Sequence, residues 1–365
     1  MRLAHLSRCP GPADGGVAQA IEGLLRAQQT MGGLEPHWLT PERGASFSEA
    51  VGAVAPELLH VHGLWRAPNR LAALLQPQLP VVVAPHGMLD PWAFAQHRRR
   101  KSLLWWAYEH RSLQRAAALQ ALCPAEAQAL RALGLRSPIA LIPNGVALPN
   151  PVTSKGTPHP APPWTNAIPA EAKVLLFLGR FHHKKGLDPL LTVWQSVVAP
   201  AARAGWWLAL VGYGDQGALE CQVEHSQAQG ELSRVSVLGP VFGAEKTAAL
   251  HNASAFVLPS FSEGLPMAAL EAMAHRLPCL LSTACNLPDA FSLGAALRAE
   301  PDPDALATSL LLLFALSQPE RAAMGAAGHS LVRKNFSWPR VAEQTLELYQ
   351  WILEGAERPG FVELS

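Results

Sequence analysis

Short apolar runs ending in glycine, proline or histidine alternate along the chain with longer alanine- and leucine-rich segments of helical period. Unbroken apolar runs of this length suit strands buried on both faces, and their alternation with helices predicts β-α units around a parallel sheet. In the first half the predicted strands are RLAHL (2–6), EPHWL (35–39), LLHVH (58–62), VVVAP (81–85), LQAL (119–122) and IALIP (139–143). The rhythm breaks over residues 144–169, NGVALPNPVTSKGTPHPAPPWTNAIP, where proline and small polar residues dominate, as in a connection between domains. It restarts with KVLLFLG (173–179), WWLALVG (206–212), VSVLG (235–239), AFVLP (255–259) and PCLLS (278–282), each followed by a helical stretch.

The chain of 365 residues is long enough for two cores. The expected fold is α/β, with two doubly wound, Rossmann-like domains over 1–150 and 173–336, a linker over 151–172, and a ligand cleft between the domains. The final amphipathic segment (337–365) has no predicted strand after it. It reads as a helix packed on the outside, with a bridge back to the first domain as one role open to it.

Composition narrows the function. Lysine plus arginine (29) nearly balances aspartate plus glutamate (28), which leaves no overall field for nucleic acid. Five cysteines without a C-x-x-C pair fit reduced core thiols of a cytoplasmic protein better than a zinc site or disulfide scaffold. The N-terminal apolar run is too short for a signal peptide, and LLLLFAL (310–316) is too short to span a bilayer. The expectation is a soluble protein or one resting on a membrane surface.

The chemistry concentrates in SFSEGLPMAALEAMAHRLP, residues 260–278, where two glutamates stand eight positions apart and no basic residue follows until His275. Pro266 suits the first position of a helix, which makes Leu265 the cap. Leucine accepts no hydrogen bond, so the N–H groups of Met267 and Ala268 are left for an anion such as phosphate. Side chains on a helix lean toward its N-terminus, so Glu271 points back toward the mouth that Glu263 flanks. Carboxylates only accept, which suits sugar or ribose hydroxyls; a capping acid beside a solvated helix glutamate is the bland alternative. In LFLGRFHHKKG (176–186), Arg180 and Lys185 follow a strand end at Gly179, where two cations would neutralise a diphosphate. ALVGYGDQGALE (209–220) is another glycine-rich turn, at which Gly212 lets a ligand close to the backbone and Asp215 is a cap or a contact.

Taken together and in order, these motifs resemble the retaining glycosyltransferases of family 4, whose GT-B fold has two facing Rossmann-like domains. The similarity rests on the E-x7-E pattern Glu263–Glu271, on LGRFHHKKG, VGYG, PHGM, IPNGV (142–146) and NLPD (286–289), and runs over essentially the whole chain. It implies that Arg180 and Lys185 hold the donor diphosphate, that Glu271 binds ribose, and that Glu263 lies near the sugar hydroxyls. The Gly264 and Leu265 backbone then completes the phosphate and sugar contacts, and Val241 in GPVFG lies against the base. His86, at a strand end, matches a histidine beside the reacting sugar. Gly15 and Gly16, between strand and helix, permit close backbone approach to donor phosphate or acceptor, or form a tight turn. The implied chemistry is front-face displacement, in which the leaving phosphate helps take the acceptor's proton. The glutamates then bind and orient, and the charges of Arg180, Lys185 and the helix N-terminus carry most of the catalysis. No D-x-D acidic pair stands at a strand end, so no metal or other cofactor is expected beyond the nucleotide-diphosphate sugar substrate.

On the acceptor side, QHRRRKSLLWWAYEHRSLQR (96–115) reads as a basic amphipathic helix. Arg98, Arg99, Arg100 and Lys101, with Trp105 or Trp106, would rest on an anionic bilayer at the cytoplasmic face or receive the diphosphate of a lipid-linked acceptor. An ordinary helix with core aromatics is the alternative. The whole points to a hexose-type sugar passed to a glycan or lipid-linked acceptor in surface polysaccharide assembly. A sugar-nucleotide epimerase of the same fold and a non-catalytic nucleotide- or glycan-binding scaffold are the rivals.

Overall fold

The computed structural model describes residues 1–8, 16–40, 47–90, 103–149, 160–230 and 232–364. The first stretch of chain runs β1 (Arg2–Leu6), α1 (Gly16–Gln29), β2 (Glu35–Leu39), α2 (Phe47–Val54), β3 (Leu58–His62), α3 (Ala67–Leu75) and β4 (Val81–Ala84). A π-helical turn (Trp105–Glu109) leads into α4 (His110–Gln114), and β5 (Ala118–Ala121), α5 (Pro124–Ala132) and β6 (Ile139–Leu141) follow. The π turn departs from the single amphipathic helix expected over 96–115, and the part of that segment before residue 103 lies outside the described residues.

The second stretch holds β7 (Lys173–Phe181), α6 (Leu187–Arg203), β8 (Trp206–Gly214), α7 (Gln216–Ala228), β9 (Val235–Leu238), α8 (Gly243–Asn252), β10 (Ala255–Leu258), α9 (Met267–Ala274), β11 (Cys279–Leu281), α10 (Pro288–Ser292) and β12 (Ala296–Arg298). Two longer helices close it, α11 (Pro303–Ala315) and α12 (Gln318–Asn335). Then come α13 (Trp338–Glu354) and β13 (Val362–Glu363).

The chain forms two compact units, Met1–Gly145 with Phe336–Ser365, and Val146–Asn335. Each is built on a doubly wound sheet, ordered β13-β6-β5-β4-β3-β1-β2 in the first and β12-β11-β10-β7-β8-β9 in the second. Every pairing is parallel except β13 on β6. That antiparallel edge corrects the expectation that no strand follows the last helix: Val362 is buried and pairs with Ala140. Residues 160–172, expected as linker, belong to the second unit, where Trp164 and Ile168 are buried.

Both faces of the first sheet are covered. Leu59, Val61 and Val83 pack on one side against Val51, Ala72 and Ala127 of α2, α3 and α5. On the other, Leu3, Leu58 and Val82 meet Leu24 of α1 and Val341, Leu348 and Tyr349 of α13. Two glycines make room for that final helix: a Cβ added at Gly23 or Gly145 would fall within 2.2 or 2.4 Å of the Trp338 ring.

Of the cysteines, Cys123, Cys279 and Cys285 are buried thiols, as expected of core residues, whereas Cys221 is exposed and Cys9 lies outside the described residues. Burial pushes the Cys285 thiol up to about 12, so it is not a ready nucleophile. No described helix is long and apolar enough to cross a membrane.

Candidate active site

In the second unit the carboxyl ends of β7, β8 and β10 carry the residues singled out by sequence. The backbone at β10 turns through Ser260 and Glu263 into α9, and this loop is pinned on two sides. The Phe261 N–H donates to the Lys184 carbonyl at 2.8 Å, and the Asn286 amide donates to the carbonyls of Glu263 (2.7 Å) and Gly264 (3.0 Å). Asn286 does this from a left-handed turn at φ 57°, a conformation asparagine tolerates. Gly186 is required for a related reason: its φ is +71° and an added Cβ would lie 1.9 Å from the Pro259 carbonyl oxygen. The turn that carries Lys185 therefore sits directly on the end of β10.

The two glutamates each hold a lysine from elsewhere in the chain. Lys185 Nζ donates to Glu263 Oε1 at 2.6 Å, and Lys246 Nζ, from α8, donates to Glu271 Oε1 at 2.7 Å. Glu263 is the more enclosed, its side chain 7% exposed against 20% for Glu271, and the Ser260 hydroxyl also donates to its Oε1 at 2.6 Å. Lys246 is invisible as a site residue in sequence, because its partner is 25 positions away. Arg180 is exposed and forms no ion pair among the described residues. It lies inside β7, which runs to Phe181 rather than ending at Gly179 as expected, because β8 pairs with it through Gly214.

At the start of α9 the helix begins one residue later than expected. Pro266 has ψ 88°, outside the helical range, and is itself the cap, while Leu265 stands before it. The chemistry of the end is unchanged by this shift. No side chain caps it, and the first bonds back, from Ala269 and Leu270, go to the Pro266 carbonyl, leaving the Met267 and Ala268 amides ahead of the ladder. The bareness of Gly212 is used by the neighbouring strand: an added Cβ would lie 1.8 Å from the Gly179 carbonyl oxygen. Val241, the expected base contact, is buried, and the exposed apolar side chain of its loop is Phe242.

In the first unit, Gly16 opens α1 with nothing within 4 Å of an added Cβ, whereas Gly15 lies outside the described residues. His86 follows β4 with φ 52°, strained for a non-glycine residue. It belongs to a cluster that sequence reasoning missed. His5 and His60 are register partners on β1 and β3, and His62 lies on the same face of β3 two residues on. His62 Nδ1 is 3.0 Å from His86 Nε2, His62 Nε2 is 3.0 Å from His5 Nδ1, and His5 Nε2 is 2.9 Å from Gln28 Oε1. The signal was the doublet in LLHVH: two histidines at strand period in a fully buried run. Burial pulls His5 and His86 down to about 4 and holds His60 and His62 well below the ordinary range, so all four rings are neutral at pH 7.

The two candidate membrane tryptophans separate. Trp105 is buried, its ring 6.3 Å from that of Trp65, and is therefore a core residue; Trp106 is 79% exposed. Arg98, Arg99, Arg100 and Lys101 lie outside the described residues.

Two Rossmann-like domains built in this way constitute the GT-B architecture. Family models match both: residues 6–145 fit a "Glycosyl transferase 4-like domain" and residues 172–315 fit "Glycosyl transferases group 1". The chain belongs to the family 4 type of glycosyltransferases. It is 30% identical over 194 residues to the phosphatidyl-myo-inositol mannosyltransferase of Mycobacterium leprae, covering 52% of this chain and 50% of that one. The chain spans about half the length of the curated relatives it matches, or less. Among solved structures, sucrose-phosphate synthase from Thermosynechococcus elongatus superposes with a TM-score of 0.73 at 19% identity, over 97% of this chain and all of the other. Anabaena HepE in complex with UDP and glucose gives 0.67 at 16% identity, over 96% and 99%. At such identities the likeness is one of fold.

Proposed function

We propose that the protein is a retaining glycosyltransferase that moves a hexose-type sugar from a nucleotide-diphosphate sugar to a glycan or lipid-linked acceptor, in surface polysaccharide assembly at the cytoplasmic face of a membrane. One observation carries this reading: each of the two glutamates holds a lysine across a single hydrogen bond, beside the uncapped amides of α9. Such pairs are stable without ligand and open usefully with one. A diphosphate attracts the lysines and the amides, and the freed carboxylates accept from hydroxyls, Glu263 from the sugar and Glu271 from the ribose. An epimerase would need acid-base groups around the sugar instead.

In the reaction the acceptor oxygen forms a bond to the anomeric carbon as the bond to the donor phosphate breaks, on the same face. The departing diphosphate oxygen takes the acceptor's proton. Arg180, Lys185 and the Met267 and Ala268 amides stabilise the negative charge that develops on the diphosphate, and Gly264 and Leu265 contribute backbone contacts. With two cations for the diphosphate, the reaction proceeds without a metal, and full activity in a chelator is the expected result. His86 accepts from a hydroxyl of the transferred sugar. Trp106 and the basic run 98–101 meet the anionic surface or the acceptor diphosphate.

Thermal shift against a panel of nucleotide sugars, followed by nucleotide release with the stabilising donor and a lipid-linked glycan, tests the proposal. Stabilisation by one nucleotide class and acceptor-dependent release are expected. Stabilisation without release under any acceptor would favour a binding scaffold, and interconversion of the sugar an epimerase.

A further inference from the structure

The buried row of histidines in the first unit has a direction, and that direction reaches its outer end. Thr345 Oγ1 donates to the Ala342 carbonyl at 2.8 Å, so toward Gln28 it can only accept, and it takes the Gln28 NH₂ at 3.2 Å. That fixes the amide: Gln28 Oε1 faces His5 Nε2, which must therefore carry a hydrogen. A neutral imidazole has one N–H, so His5 Nδ1 is a lone pair and accepts from His62 Nε2. By the same step His62 Nδ1 accepts from His86 Nε2, and His86 is left with a bare Nδ1. No described residue hydrogen-bonds to that nitrogen. The backbone behind it is also held. The Gly87 N–H donates to buried Glu126 at 2.6 Å, and the other oxygen of Glu126 takes the Leu122 N–H at 2.8 Å.

We propose that Gln28, His5 and His62 are positioning residues that lock His86 in its Nε2-protonated tautomer, so that its Nδ1 lone pair accepts from a hydroxyl of the bound sugar. This rests on the proposed function for the hydroxyl, but the lock itself rests only on the hydrogen bonds. Its consequence is selectivity. A lone pair welcomes a hydroxyl donor and opposes any group that only accepts, so a sugar bearing a carboxylate or lacking the hydroxyl at that position is rejected. Neutrality of the row, enforced by burial, keeps the direction fixed through the physiological range.

Nitrogens of His5, His60 and His62 lie within 4.8 Å of one another, a spacing that a metal ion would also fit. Hydrogen bonds occupy both nitrogens of His5 and of His62, whereas His60 gives its Nδ1 to the Tyr349 hydroxyl at 2.7 Å and its buried Nε2 has no partner among the described residues, so no set of three free lone pairs is left for an ion. The His5 Nδ1 lone pair is used by His62, and the His60 and His62 rings stack with centroids 4.3 Å apart and planes 28° apart, so their in-plane lone pairs run side by side rather than converge.

The test is two-bond ¹H–¹⁵N correlation NMR on the full chain labelled with ¹⁵N-histidine, read between pH 7.5 and 5.5. Nε2–H tautomers at His5, His62 and His86, unchanged by pH, are expected. Gln28→Leu removes the terminal acceptor and should mix the His86 tautomers and lower kcat about tenfold, the scale of one hydrogen bond, while donor KM stays within about threefold. Gln28→Glu keeps an acceptor and should restore both. An Nδ1–H tautomer at His86, unchanged tautomers and kcat in Gln28→Leu, or a shift of the three clustered histidines on adding zinc would each overturn the lock. If the tautomers are as drawn but a stabilising nucleotide sugar leaves the His86 signals unmoved, the lock stands and the sugar contact is refuted.

Discussion

Removing Lys185 should do two separable things. Its ammonium lies 2.6 Å from Glu263, whose side chain is only 7% exposed and whose other partner on that oxygen is the Ser260 hydroxyl. Truncation to alanine strands a carboxylate that water barely reaches. Breaking a fully buried pair costs about 3–5 kcal/mol, and with the lysine 18% exposed we expect roughly 2–3 kcal/mol of stability lost in Lys185→Ala. Glu263→Gln removes the charge, so in the double variant the stranded carboxylate is gone and the losses should fall short of additive by at least about 1 kcal/mol. Turnover should behave differently. If Lys185 holds the donor diphosphate, Lys185→Ala loses about 2–4 kcal/mol of barrier reduction, roughly 30- to 1,000-fold, and Glu263→Gln cannot give it back. Urea melts followed by hydrogen exchange in peptides of 173–190 and 255–275 report the stability of this unit, and nucleotide release reports turnover. Rescue of turnover along with stability, or normal turnover in folded Lys185→Ala, would show that the lysine serves only to neutralise Glu263.

If Glu271 binds the ribose, as proposed, Lys246→Ala should raise the donor KM more than it lowers kcat; a kcat-only effect would contradict this. Gly186→Ala forces a Cβ to 1.9 Å from the Pro259 carbonyl at a positive φ and should lower the melting temperature by several degrees or more, whereas Gly16→Ala, with open space around it, should not. Between pH 6.5 and 4 the unfolded chain binds protons that His5, His60, His62 and His86 refuse when folded, so stability falls as pH falls; Glu109, raised to about 7 by burial, and Glu126, also raised, act in the opposite sense. Four histidines outnumber the two opposing carboxyls, so the net slope is a loss of stability toward acid, and a flat profile in exchange-protected amides of β1 and β3 would refute it. Trp106→Ser should weaken co-sedimentation with anionic vesicles without loss of stability, while Trp105→Ser should destabilise the fold by a few kcal/mol.

Much of the fold was legible because parallel strands buried on both faces announce themselves as apolar runs. RLAHL and LLHVH coincide with β1 and β3 to the residue, and EPHWL does so with β2 although that edge strand holds no fully buried residue. β12 and β13 were missed since each combines a length of three residues or fewer with a place at a sheet edge, where a side chain is left exposed and no apolar run marks the strand. At the site, the spacing of Glu263 and Glu271 was visible as a local pattern, but their pairings were not: Lys185 was singled out for a diphosphate rather than as the partner of Glu263, and Lys246 was not singled out at all. Lys185 and Lys246 come from other elements, and only the topology brings them to the two glutamates. At Gly212 the neighbouring strand by itself requires a glycine, since an added Cβ would lie 1.8 Å from the Gly179 carbonyl oxygen. The histidine row was hidden because its members lie on separate strands and only the doublet at 60 and 62 is local.

The order in which the chain leaves the ribosome is at odds with the order of its two units. Residues 146–335 are all synthesised before the segment that completes the sheet beginning at Arg2, because α13 and β13 supply one cover and one edge of that sheet. The first unit must therefore wait, with Leu3, Leu58 and Val82 only partly covered by α1, until residues 336–364 emerge, while the middle of the polypeptide is free to fold first. Early truncation by a premature stop or a protease would thus harm the beginning of the protein rather than its neighbour in sequence.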